Sequence, residues 1–77
     1  MNIVIKDFQN KNLCLQVKSD DKCKMLYDYI EDKLKIPIKA QRLIFAGKQL
    51  YFNDSIEKYN IREGSIIHLV GRFGWNA

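Results

Sequence analysis

Gln41-Arg42-Leu43-Ile44-Phe45-Ala46-Gly47-Lys48-Gln49-Leu50 is the stretch whose reading decides the fold. Arg42–Phe45 reads as a strand of large apolar side chains behind one arginine. Ala46-Gly47 reads as a tight turn, and Lys48–Leu50 as the return. Immediately upstream stands Ile36-Pro37. Proline disfavours helical geometry in the residue before it, so any helix arriving there must stop. Further back, Cys23, Leu26, Tyr27, Ile30 and Leu34 fall at helical spacing and make one apolar stripe. Ser19-Asp20-Asp21 supplies capping oxygens and negative charge at the start of that helix.

Toward the N-terminus the period changes from helical to two. Ile3 and Ile5 alternate with Asn2, Val4 and Lys6; Leu13, Leu15 and Val17 alternate with Asn12, Cys14, Gln16 and Lys18. The Phe8–Lys11 segment between them is a turn in which Asn10 can take the left-handed conformation, so the two runs make a β-hairpin. Toward the C-terminus, Asn53-Asp54-Ser55 is a turn and cap signal before a short helical piece, Ile56–Tyr59. Ser65–Val70 is a closing strand rich in β-branched residues. The order β-β-α-β-β with a late strand predicts an α+β roll, a mixed sheet packed on one helix. The predicted core is Ile3, Ile5, Leu13, Leu15, Val17, Cys23, Leu26, Ile30, Leu43, Leu50, Ile56, Ile61, Ile67 and Leu69, the inward face of each strand plus the helix stripe.

The bulk properties narrow the function classes. A chain of 77 residues, 47% hydrophobic, is one domain able to bury a core. No apolar run approaches the roughly 18 residues of a membrane span, and Met1–Asp7 reads as a strand rather than a leader, so a cytosolic or nuclear protein with no membrane partner is expected. Two cysteines are too few for a disulfide framework and wrongly spaced for zinc; two free thiols are expected, with no metal or cofactor. The net charge is +4, but Lys18, Lys22, Lys24, Lys33, Lys35 and Lys39 are interleaved with Asp20, Asp21, Asp28, Glu31 and Asp32. That mixture describes a solvated face instead of a nucleic-acid stripe. No glycine-rich phosphate loop, paired carboxylates or nucleophile motif is present, and the single histidine, His68, has no partner in sequence. The expectation is therefore no enzyme, no catalytic residues, and a monomer.

The Gln41–Leu50 run is identical to a stretch of ubiquitin. Lys33 with Ile36-Pro37, Tyr59-Asn60-Ile61, Ser65 and His68-Leu69-Val70 match it in the same register. The chain thus resembles the ubiquitin family without a gap from Met1 to Arg72, and the resemblance implies the β-grasp fold over residues 1–72. It also implies a partner-binding patch on the sheet: Phe8, Ile44, His68 and Val70, ringed by Arg42, Gly47 and Lys48. Alternation turns Ile44 and Val70 outward beside inward Leu43, Phe45 and Leu69. The partners so implied are ubiquitin-binding domains, the proteasome and other ubiquitin-pathway proteins. A second surface of the family would include Ile36, Gly71 and Phe73; glycine at 71 removes a large anchor, so that surface is expected to be weak.

Residues 73–77 depart from the family. Ubiquitin ends in two glycines, whose terminal carboxylate is activated and passed to cysteine and then lysine. Here Trp75 and Asn76 occupy those places, which implies a chain that is not conjugated. Trimming to Gly74 would give a single-glycine modifier as an alternative, and an N-terminal ubiquitin-like domain of a larger protein is another. A free-standing mimic occupying ubiquitin receptors shares the leading mechanism. Lys6, Lys11, Lys33 and Lys48 match positions that accept ubiquitin in the family, as does the Met1 amine. Tyr27, Tyr29 and Glu63 replace other acceptor positions. Lys22 stands where the family caps its helix, moving that role to Asp20 or Asp21. Lys35 stands where a glycine closes the helix, at a cost of about 1 kcal/mol if the left-handed geometry is kept.

Overall fold

The alternating runs at the N-terminus form the expected hairpin. In the computed structural model, which describes residues 1–71, β1 (Asn2–Lys6) pairs antiparallel with β2 (Asn12–Gln16), Ile3 opposite Leu15 and Ile5 opposite Leu13. Asn10 takes the turn's left-handed position, with φ 63°. Asp7 braces the turn from inside: its Oδ1 accepts the backbone N–H groups of Gln9 and Lys11, both at 2.8 Å. This is the local side-chain-to-backbone bond that suits Asp to turns.

Helix α1 (Lys24–Leu34) presents Leu26, Tyr27 and Ile30 inward, and Cys23 just before it is fully buried. Its start departs from the expectation. No side chain caps it, and Asp21 Oδ2 accepts the Lys18 N–H at 2.8 Å instead. The Cys23 and Lys24 N–H groups are taken by the backbone carbonyls of Asp54 (2.8 Å) and Phe52 (3.1 Å). A loop remote in sequence thus does what a capping side chain does elsewhere. The helix ends at Leu34, two residues before Ile36. Lys35 adopts φ 59°, ψ 32°, and its N–H returns to the Glu31 carbonyl. A left-handed C-cap on a lysine, with proline following, closes the helix.

A short 3-10 turn (Ile38–Ala40) leads into β3 (Gln41–Phe45). Ala46 and Gly47, both at positive φ (53° and 78°), reverse the chain into β4 (Lys48–Gln49). Two successive positive φ values are the signature of the hairpin turn whose twist matches its strands. A second 3-10 turn, Ile56–Tyr59, precedes β5 (Ile66–Gly71). The sheet order is β2-β1-β5-β3-β4; β5 lies parallel to β1 and antiparallel to β3. A parallel pair needs a long crossover, and the rest of the chain, α1 included, supplies it.

The α+β roll of one mixed sheet on one helix is thus what forms. Most of the expected core is buried, from Ile3 to Leu69. Leu13 and Leu15 are exceptions: both are half-buried, because β2 is the outermost strand and the core covers only part of its inner side. Phe45, expected to face inward, is also half-buried. Tyr27, Ile36 and Ala40 join the core beyond expectation, and so does Gln41, 2% exposed. Gln41 Nε2 donates to the carbonyls of Tyr27 (3.2 Å) and Ile36 (2.9 Å), tying the helix to the sheet. The Tyr27 hydroxyl donates to the Leu50 carbonyl at 2.6 Å, and its ring meets Phe52 edge-on at 4.8 Å.

Candidate functional site

Strand pairing decides which expected patch residues meet. Ile44 on β3 is directly opposite His68 on β5, and Arg42 is opposite Val70. Lys6 on β1 is opposite His68 from the other side. Because side chains alternate, Arg42, Ile44, His68, Val70 and Lys6 share the face turned away from the helix. Ile44 is half-buried among them; Arg42, His68 and Val70 are exposed. Gly47 is exposed at the turn. Lys48 is exposed too, but its register partner is Phe45, which puts it at the rim rather than beside Ile44. Phe8 is half-buried in the β1–β2 turn and packs against the core. Ile36, assigned to a second surface, is 5% exposed and belongs to the interior. Its companion Phe73 lies outside the described residues.

Three members were missed. Gln49 faces Ile44 across β3–β4, and its Oε1 accepts the Arg42 Nε–H at 3.1 Å, fixing that guanidinium at the patch edge. Lys6 was named only as an acceptor lysine. Ile66 is 46% exposed on the same strand face as His68 and Val70. The alternation that turns Val70 outward applies equally to Ile66, so the signal was present. No Asp or Glu occupies an outward position on the described strands, while Lys6 and Arg42 do, with Lys48 at the rim. The face is apolar at its centre and basic around it. That combination suits a partner segment carrying an apolar anchor among acidic residues.

Elsewhere, Tyr59 Oη donates to Asp54 Oδ2 at 2.6 Å and accepts the Tyr51 N–H at 3.2 Å; Lys58 Nζ adds a bond to Asp54 Oδ1 at 3.1 Å. The bonds from Tyr59 and Lys58 hold the Asp54 carboxyl below the usual carboxylate range. Burial, and then the bond to Asp54, push the Tyr59 hydroxyl up to about 12. Burial pushes the Cys23 thiol up to about 11, and Asp54 nearby adds to it. Each interaction locks the 51–59 loop and leaves no proton poised near neutrality. Among the described residues, no three His, Cys, Asp or Glu side chains stand close enough to hold a metal ion. No helix among them is long and apolar enough to cross a membrane.

The Ubiquitin family model matches residues 3–74. This chain belongs to the ubiquitin family. It is 37% identical over 70 residues to ubiquitin-like protein 1 of Schizosaccharomyces pombe, covering 91% of this chain and 90% of that one. It is 36% identical to the ubiquitin-like protein NEDD8 of Dictyostelium discoideum, covering 91% of each. It is 36% identical to ubiquitin-like protein 4A of Rattus norvegicus, where the match covers 91% of this chain and 45% of the relative.

Within this ubiquitin-family chain, the expected acceptor amines are placed differently. Lys11, Lys33 and Lys48 are exposed, and Lys6 is half-buried beside His68. Lys33 Nζ lies 5.8 Å from the centre of the Tyr29 ring. The Met1 ammonium donates to the Val17 carbonyl at 2.8 Å, so its use as an acceptor would first break that bond. Gly74, the expected processing site, lies outside the described residues.

Proposed function

We propose that this chain is a ubiquitin-like interaction module that is not itself conjugated and docks ubiquitin receptors through the outward face of its sheet. The observation that carries this reading is the pairing of Ile44 with His68 beside exposed Val70 and Ile66, rimmed by Lys6, Arg42 and Lys48 with no outward acid on the described strands. Exposed branched apolar side chains grouped on a sheet favour weak docking of an amphipathic helix whose flanks are acidic. Trp75 and Asn76, in place of the family's paired glycines, support the non-conjugated part. The binding residues are Phe8, Arg42, Ile44, Gly47, Lys48, His68 and Val70, and binding, not catalysis, is the activity. The setting is the cytosol or nucleus.

The test is a calorimetric or NMR titration of the 77-residue chain and Ile44→Ala with a ubiquitin-interacting helix. Truncating Ile44 removes the central anchor and should weaken binding by about ten-fold or more, roughly 1.4 kcal/mol or above. The circular dichroism of the variant should be unchanged. Unchanged affinity in a folded variant would refute the patch.

The relatives favour two further readings. The match to NEDD8 over most of both chains favours a covalent modifier ending at Gly74. The intact mass of the protein from its source separates it from the first reading. The match confined to 45% of ubiquitin-like protein 4A favours the docking domain of a longer chain, which the same mass would reveal.

A further inference from the structure

Two strands end the sheet, and they are unlike. β4 spans only Lys48–Gln49, and a short edge offers little to pair with. β2 spans Asn12–Gln16 and carries no charge, no proline and no break in its register with β1. These are the devices that normally blunt an edge, and β2 lacks them.

The hydrogen bonds show which groups the edge presents. Val17 N donates to Met1 O at 2.9 Å while the Met1 ammonium donates to Val17 O, and Asp7 N donates to Lys11 O at 2.9 Å. Lys11 and Val17 therefore direct their backbone groups toward β1. By alternation Leu13 and Leu15 do the same, and Asn12, Cys14 and Gln16 direct theirs outward. On the inner side, Leu13 and Leu15 are left half-buried at the rim.

We propose that the β2 edge is a self-association surface, pairing antiparallel with β2 of a second copy about a two-fold axis through Cys14. The strand is its own complement in that register. Asn12 meets Gln16 of the second copy, amide against amide, and Leu13 meets its Leu15 on the inner side. Cys14 meets the second Cys14 on the outer face. The outward N–H and C=O groups of Asn12, Cys14 and Gln16 are all satisfied, and the half-buried leucines are covered. An unrelated strand would need the same alternation of amides and leucines; a second copy has it by symmetry. Lys11 and Lys18 flank the strand, so lysines of the two copies gather at each end of the joint ladder. Association therefore strengthens with salt, opposite to the docking of an acidic partner on the Ile44 face. A single strand edge, Asn12–Gln16, is small beside the roughly 1,200 Å² of a stable complex, so the expected affinity is on the order of millimolar. The monomer expected from the sequence is the dilute limit of this equilibrium.

Sedimentation equilibrium of the full chain, reduced, up to millimolar concentration reads the association. Expected is a shift toward twice the monomer mass, larger at high salt. Gln16→Pro removes an N–H that faces the free edge, which an edge strand tolerates, and should weaken association by at least about ten-fold. Asn12→Lys with Gln16→Lys, both on exposed side chains, sets lysine against lysine across the joint and should do the same without touching the backbone. Mild copper–phenanthroline oxidation adds a second readout. Paired Cα atoms sit about 5.5 Å apart, within the disulfide range, and the oxidant takes the electrons. A Cys14–Cys14 link should form in the wild type and be lost in Gln16→Pro, and buried Cys23 should not contribute. Three results overturn the proposal: a monomer at all concentrations, a dimer indifferent to both β2 variants, or a dimer abolished by Ile44→Ala.

Discussion

Replacing Lys35 tests whether the helix end stores strain. Lys35 sits at φ 59°, ψ 32°, in the left-handed region, and its N–H closes the last turn on Glu31. For a residue with a Cβ this region costs about 1–2 kcal/mol relative to right-handed geometry. Glycine escapes that cost but loses about 0.5–1 kcal/mol through its greater freedom in the unfolded chain. The net expectation for Lys35→Gly is roughly 0.5–1 kcal/mol of added stability from the backbone alone. The lysine charge complicates a direct comparison, because Lys35 lies near Asp28, Glu31 and Asp32 at the negative end of the helix. Lys35→Ala removes the same charge and keeps the Cβ, so the difference between the two variants isolates the backbone. At roughly 4–8 °C per kcal/mol for a domain of this size, Lys35→Gly should melt about 2–8 °C above Lys35→Ala by circular dichroism. Asn60→Gly, at φ 60°, should gain less, since asparagine tolerates this region. Equal or lower melting for Lys35→Gly than for Lys35→Ala would refute the strain.

Burial of the Tyr59 hydroxyl and its bond to Asp54 together make stability fall at both ends of the pH scale. The lowered Asp54 carboxyl contributes above its ordinary value of 3.8 and loses that contribution as pH falls through the folded-state value below it. The raised Tyr59 hydroxyl contributes below its ordinary value of 10.0 and loses it as pH climbs through about 12. Denaturant titrations of Tyr59→Phe should show both limbs flattened, the acid limb only in part because Lys58 still holds Asp54; unchanged limbs would assign them elsewhere. In native protein at mildly alkaline pH, iodoacetamide should add once, at exposed Cys14, because buried Cys23 is held protonated up to about 11. A second adduct should appear only on unfolding, as intact mass will show.

The fold was legible where period and turn chemistry coincided. Ile3 and Ile5 against Leu13 and Leu15, with Asn10 between them, specified a hairpin and its register. Ala46-Gly47 specified the second. The helix start was misread because Ser19, Asp20 and Asp21 offer capping oxygens locally, whereas the groups that take the Cys23 and Lys24 N–H come from Phe52 and Asp54. A partner that distant leaves no trace in a sequence window. Gln41 illustrates the same limit: nothing local marks a glutamine as interior until its amide reaches the Tyr27 and Ile36 carbonyls. Within the candidate site, alternation turned Ile44 and Val70 to the outward face, where the structure places them. It did not reveal that Gln49, and not Lys48, faces Ile44, because that depends on the register set by the turn at Ala46-Gly47.

Sheet order places the two proposed surfaces apart on one molecule, with a consequence for how they would work together. The Ile44 face is built on β3 and β5, and the self-pairing edge is β2, with β1 between β2 and β5. A two-fold axis through Cys14 stands perpendicular to the sheet, because both cysteines must remain on its outer face. The paired copies then form one continuous sheet with both Ile44 faces on the same side. From β3 of one copy to β3 of the other the path crosses seven strand spacings of about 4.8 Å, roughly 34 Å. A partner with two acidic docking helices on a linker spanning that distance would engage both faces, and its second contact would be intramolecular. Such a ligand should bind the wild-type chain more tightly than a single helix does, by a factor that falls away on dilution below self-association. Gln16→Pro should remove this gain while leaving single-helix affinity unchanged, whereas Ile44→Ala should weaken both. A tandem ligand favoured equally by wild type and Gln16→Pro would show that the two surfaces act independently.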